Sequence, residues 1–143
     1  MAVHTEKLER VTLVTLDRPQ VRNAVDAATA RALHQAFVDF EHDDTADVAV
    51  FHGAGGHFCA GADLTGVEDR SFAARLQEVL DALRDLSCPT IAAVDGAALG
   101  AGTQLAVACD LRVATAGASF GIPAGKLGLM VNHWTVQRVA TLL

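Results

Sequence analysis

The sequence predicts an α/β fold organised as one domain. Short β-rich apolar runs alternate with longer stretches whose apolar residues recur every three or four positions. Glycine clusters follow the ends of the apolar runs rather than interrupting the helical stretches. With 143 residues, 51% of them hydrophobic, the chain has enough apolar side chain for a single core.

Val11 to Leu16 alternates and is rich in β-branched residues, so it reads as a strand, stopped by Pro19 and followed by a loop from Gln20 to Asn23. Asp26 is placed to cap a helix carrying Ala30, Leu33, Phe37 and Phe40 on one stripe. That helix ends in the acidic run Glu41 to Asp44, which reads as a solvated turn. Val48 to Phe51 suits a buried strand opening into a loop from Gly53 to Gly66. Ser71 is the expected cap of a second helix whose apolar face is Phe72, Leu76, Val79, Leu80 and Leu83. Pro89 breaks the chain before the strand Thr90 to Val94. A small-residue helix is expected over Thr103 to Cys109, a strand over Leu111 to Ala114, a Gly/Pro loop over Gly117 to Gly128, and a final helix over His133 to Leu143 that lacks a glycine cap.

Charge and motif spacing narrow the function. A net charge of −6 disfavours general binding to nucleic acid. There is no long apolar run and no signal-type apolar core at the N-terminus, so a cytoplasmic protein without a membrane partner is expected. Cys59, Cys88 and Cys109 stand in unrelated contexts and are expected to stay reduced. The glycines at 53, 55 and 56 lack the third glycine of a dinucleotide loop, where Phe58 stands. Gly125-Lys126 is followed by Leu127, not by the Ser or Thr of a phosphate loop. His52, His57, Cys59 and Asp63 match no zinc spacing, and no serine sits in a nucleophile elbow, so neither a metal nor a serine triad is expected.

The informative feature is a pair of Gly/Ala turns, Cys59 to Leu64 and Gly96 to Gly102, each placed after a predicted strand. Small residues let backbone amides approach a ligand, and the second turn opens a helix, whose free N–H groups favour negative charge. Each turn alone is better read as a tight turn with small residues chosen for packing. Two of them facing one another would form an oxyanion hole.

Leu16-Asp-Arg-Pro19 with Asn23-Ala24, Phe58-Cys-Ala-Gly-Ala-Asp-Leu64, Ile91-Ala-Ala-Val-Asp-Gly96, Ala98-Leu-Gly-Ala-Gly102, Ala106 to Asp110 and Phe120-Gly-Ile-Pro123 together resemble the enoyl-CoA hydratase/isomerase (crotonase) family, from about Val11 onward. The resemblance implies a crotonase-like (ClpP/crotonase) spiral of β-β-α units, cut before the C-terminal helices, so that residues 1–143 form an incomplete acyl-CoA-binding domain. It implies an acyl-CoA substrate, as in fatty acid metabolism, no separate cofactor because coenzyme A is part of that substrate, and a trimer-based homo-oligomer in the completed protein.

By the same resemblance, the backbone N–H groups of Ala62 and Ala101 are the oxyanion-hole donors. Val21 and Arg22 lie along the CoA phosphates, and Ala60, Ala62, Asp63 and Leu64 line the turn that touches adenine and pantetheine. From the residues alone, Arg22 reads equally as an ordinary surface arginine, Lys126 as a solvated lysine, and Asp63 as a cap on turn amides rather than an acid or base. The two positions where hydratases carry glutamate are Gln104 and Ala124, neither of which exchanges a proton near neutral pH. A substitute acid or base could come from His133, Asp63, a C-terminal half or a neighbouring subunit, and His133, at an expected helix start, reads at least as well as a surface or packing residue. Three functions remain open: a family lyase or isomerase with unusual proton-transfer groups, a noncatalytic acyl-CoA-binding module, and a structural remnant.

Overall fold

The computed structural model describes residues 1–63, 65, 70–127 and 131–143. Its main sheet has strands β1 (Val3–Leu8), β2 (Val11–Leu16), β3 (Val48–Gly53), β4 (Thr90–Val94) and β6 (Leu111–Ala114), side by side in that order. β1 pairs antiparallel with β2, and the remaining neighbours are parallel. Two shorter strands, β5 (Ala97–Leu99) and β7 (Ser119–Gly121), pair in parallel. Helices α1 (Ala27–Glu41), α2 (Phe72–Asp85) and α3 (Ala101–Ala108) follow β2, β3 and β5, while α4 (Ala124–Leu127) and α5 (His133–Leu142) follow β7.

The order makes a spiral. Each turn runs along one strand of the main sheet, bends through a short second extended piece, and returns by a helix. In the last two turns the second piece is β5 or β7. In the first two it has shrunk to isolated bridges, Val25 with Ala62 and Cys59 with Ala98. These bridges and the β5–β7 pair align the bends of successive turns, which brings the functional loops together.

Alternation along the strands decides the core face. Thr12, Val14 and Leu16 of β2, Ala49 and Phe51 of β3, and Ala92 and Val94 of β4 are buried beneath the helices. Phe51 meets Phe37 of α1 and Phe58 edge to face, with centroids 5.4 and 5.0 Å apart. Burying each such ring contributes about 1.5–3 kcal/mol relative to exposure. Leu13, Val50, Ile91 and Leu111 are in register across the sheet on its other face, where Leu111 and Val113 are exposed.

Several elements differ from expectation. β1 was not anticipated, because only Val3 of it is buried. The Gly/Pro segment after Gly117 contains β7 and α4, and α3 begins two residues before its expected start. Asp26 caps α1 by accepting from the Thr29 N–H at 2.8 Å. Ser71 precedes α2 with its backbone already helical, unlike a capping residue, whereas α5 is capped by Asn132, which accepts from the Thr135 N–H. The acidic run is not simply solvated. Glu41 accepts from the Ser87 N–H and hydroxyl, and Asp43 from Lys7 and Thr45.

Candidate functional site

Three loops leave the C-terminal ends of β2, β3 and β4, and two polar residues fasten the first to the second. Asn23 is fully buried with positive φ, a conformation that asparagine tolerates better than most residues. Its Oδ1 accepts the Arg18 N–H at 2.7 Å, and its Nδ2 donates to the carbonyls of Ala54 and His57 at 2.8 and 2.7 Å. Arg18 donates to the Ala24 carbonyl and to Asp63, 3.0 Å away, with Asp26 beside it at 3.5 Å. These contacts hold the β2 loop against the β3 loop.

The β3 loop then passes between Val25 and β5. Cys59 N donates to Ala97 O and Leu99 N to Cys59 O, both at 2.9 Å. On the other side Ala60 N donates to Arg22 O, Val25 N to Gly61 O and Asp63 N to Val25 O. Ladder geometry sends alternate amides to opposite sides, so the Ala62 N–H is turned away from Val25, toward β5 and α3. Among the described residues it has no acceptor. Gly61, at φ +117°, makes the turn, and a Cβ there would meet Leu99 O at 3.2 Å.

The facing turn is built as tightly. Gly100 has φ +55° and its amide donates to Gly121 O. A side chain at Gly102 would lie 2.0 Å from Cys59 O, so only glycine allows α3 to start against the β3 loop. Buried Thr103 donates to Ala98 O and accepts the Gly121 N–H at 2.9 Å, locking α3 to β5 and β7. Ala101 is the first residue of α3, so its N–H has no helical acceptor, and it has none elsewhere among the described residues. Gly61 and Gly100 face each other, with Gly61 Cα 3.8 Å from where a Gly100 Cβ would stand. Two amide donors with no acceptor among the described residues therefore stand at the facing Gly61 and Gly100 turns, one of them at the positive end of a helix dipole.

The residues singled out from the sequence are distributed as follows. Val21 and Arg22 close a 3-10 turn over Pro19–Val21, with Arg22 exposed at φ +51° and its carbonyl bonded to Ala60. Ala60 and Asp63 lie in the β3 loop, and Leu64 is outside the described residues. Asp63 accepts from the Thr65 hydroxyl and amide and from Arg18. Those bonds, the Thr65 hydroxyl's first, hold its carboxyl below the usual carboxylate range. Its carboxylate caps a turn and pairs with Arg18, as the residue type suggested. Gln104 is half-buried on α3, and its Nε2 donates to the Oγ1 of fully buried Thr135 on α5 at 3.0 Å. Ala124 begins α4, while Lys126 and His133 are exposed.

Some features could not be read locally. His57 Nδ1 accepts the Ala97 N–H at 3.0 Å, and His52 Nε2 lies 2.7 Å from Thr15 Oγ1. Burial pushes the Cys59 thiol up to about 12, against a hydrogen bond to Gly61 O. It is a packed thiol rather than a nucleophile. Among the described residues no group of three His, Cys, Asp or Glu is placed to hold a metal ion, and no helix is long and apolar enough to cross a membrane.

A parallel-sheet spiral of this kind is the framework of the crotonase-like fold. Residues 6–143 match the enoyl-CoA hydratase/isomerase family, and the chain belongs to it. A short-chain-enoyl-CoA hydratase of Clostridium acetobutylicum is 34% identical over 145 residues, covering 96% of this chain and 56% of that protein. A carnitinyl-CoA dehydratase of Salmonella enteritidis is 37% identical, covering 99% and 56%. Among solved structures, an enoyl-CoA hydratase/carnithine racemase from Magnetospirillum magneticum superimposes with a TM-score of 0.90 at 27% identity, and an enoyl-CoA hydratase subunit I from Geobacillus kaustophilus with 0.89 at 32%. Each covers 99% of this chain and 57% of its own. The chain thus spans little more than half the length of the relatives it matches.

Proposed function

We propose that this chain binds an acyl-CoA thioester and stabilises its enolate, with the thioester oxygen accepting from the Ala62 and Ala101 amides. The observation that carries this reading is the pair of unspent donors at the facing Gly61 and Gly100 turns. When charge moves onto the thioester oxygen, fixed amide dipoles meet it without reorganising, and one such donor is worth about 3 kcal/mol of transition-state stabilisation. Arg22 and Val21 run beside the CoA phosphates, and Ala60 and Asp63 line the approach. The relatives' names, which are those of hydratases and a dehydratase acting on CoA thioesters, support the substrate class.

The reaction is a family lyase or isomerase step whose proton-transfer groups differ from the usual carboxylates. A second reading, a noncatalytic acyl-CoA-binding module, is favoured by Gln104, whose amide is spent on Thr135, and by Ala124, which offers no polar side chain. Calorimetry with butyryl-CoA and free CoA, beside turnover of crotonyl-CoA, separates the two. The enzyme reading expects binding with saturable turnover, and the module reading binding alone. Arg22→Ala is expected to weaken both ligands in a salt-dependent way. No binding of either ligand would overturn the proposal.

A further inference from the structure

The ladder joining the β3 loop to β5 has an irregular rung. With Cys59 opposite Ala98, Cys59 N reaches Ala97 O and Leu99 N reaches Cys59 O, so the regular pattern assigns the Ala97 N–H to the carbonyl of residue 57. That carbonyl is taken by Asn23 Nδ2 at 2.7 Å. The imidazole of the same residue supplies the missing acceptor: Ala97 N donates to His57 Nδ1 at 3.0 Å. The surroundings are fitted to this exchange. Gly96 has φ +58°, and a Cβ there would lie 2.2 Å from Gly56 O and 2.7 Å from His57 Nδ1. Phe58 N is diverted to Asp95 O at 2.8 Å.

We propose that His57 is a positioning residue for the thioester site, a role that rests on the acyl-CoA reading above: its Nδ1 replaces the backbone acceptor of Ala97 and so fixes β5 against the β3 loop. Ala97 opens the strand that runs through Leu99 and Gly100 into Ala101, and His57 lies five residues before Ala62. The histidine therefore sets the spacing of the two turns that carry the unspent amides. The contact requires the tautomer with its proton on Nε2, because Nδ1 must present a lone pair to the amide.

Nitrogen-15 NMR of the histidines and hydrogen exchange at Ala97 test the contact, and calorimetry with butyryl-CoA and free CoA tests its consequence. The wild type is expected to show unprotonated His57 Nδ1 and a slowly exchanging Ala97 amide. His57→Leu is expected to speed that exchange and to cut the preference for butyryl-CoA over CoA about tenfold, the worth of one net hydrogen bond. CoA affinity itself should be unchanged. His57→Asn, whose Oδ1 stands near the place of Nδ1, should restore both. A proton on Nδ1 in the wild type overturns the proposal without any variant, as does His57→Leu with an unchanged ligand preference. A wild type that binds both ligands alike refutes the acyl-CoA reading and the functional half of this one, while the exchange comparison still decides whether His57 holds Ala97.

Discussion

Replacing Asn23 by alanine is the sharpest test of how the loops are held, because one small side chain closes two hydrogen bonds to the β3 loop and one within its own loop. The substitution strands the Arg18 N–H and the carbonyls of Ala54 and His57, now bonded at 2.7–2.8 Å. A buried polar group left unsatisfied costs about 1–3 kcal/mol, and alanine at positive φ adds roughly 1–2 kcal/mol. Water reaching the half-buried Ala54 and His57 lowers the sum, which leaves about 3–5 kcal/mol, a large share of the roughly 5–15 kcal/mol that holds a domain folded. Asn23→Gly should recover the backbone part only, about 1 kcal/mol. Asn23→Asp keeps the acceptor for Arg18 but turns a carboxylate oxygen toward two carbonyls, so at neutral pH it should be no better than alanine. Urea unfolding followed by circular dichroism measures all three. Asn23→Ala within 1 kcal/mol of the wild type, or Asn23→Asp equal to it, would refute the bracing role.

Gly102→Ala should disable thioester binding while leaving the main sheet formed, because its methyl would stand 2.0 Å from Cys59 O and push α3 off the β3 loop; calorimetry with butyryl-CoA reads the loss. Restoring the carboxylates with Gln104→Glu and Ala124→Glu should raise hydration of crotonyl-CoA by about 10²-fold or more, followed by loss of the conjugated thioester absorbance. The Thr135 hydroxyl, which now accepts from Gln104, can donate to a carboxylate in its place, so the first substitution should be tolerated. Asp43 has its carboxyl pulled from 3.8 to about 2, chiefly by the hydrogen bond from Lys7 and then those from Thr45. A depressed carboxylate stabilises the fold above its unfolded value and loses that contribution as pH falls through the folded one. The melting temperature of Asp43→Asn should therefore lie below that of the wild type at neutral pH, and the gap should close between pH 4 and about pH 2.

Local signals carried the helices and the buried strands. The Ala30, Leu33, Phe37 and Phe40 stripe, the Asp26 cap and the alternation in β2 all depend on spacings within one element. β1 escaped because Glu6 and Lys7 face solvent and its pairing with β2 follows from register, not from its own apolar pattern. β5 and β7 are three residues each, too short for a period to be read, and exist only through contacts between turns of the spiral. The Asp63 cap was legible because Thr65 is two residues away, whereas its ion pair with Arg18 spans 45. The Asn23 brace and the His57 acceptor were hidden for the same reason. Their partners lie 31 to 40 residues distant, and nothing in the adjoining sequence marks them.

The central claim is that two backbone amides grip the thioester oxygen, and the carbonyl stretch of bound butyryl-CoA labelled with carbon-13 at the thioester carbon reports on that grip directly. Difference infrared spectroscopy is expected to show the band shifted to lower frequency on binding, since hydrogen bonds to the oxygen weaken the C=O bond. Ala101→Pro removes one donor at the first position of α3, where proline is tolerated, and should return much of the shift. A bound wild-type band at the frequency of the free thioester would contradict the account.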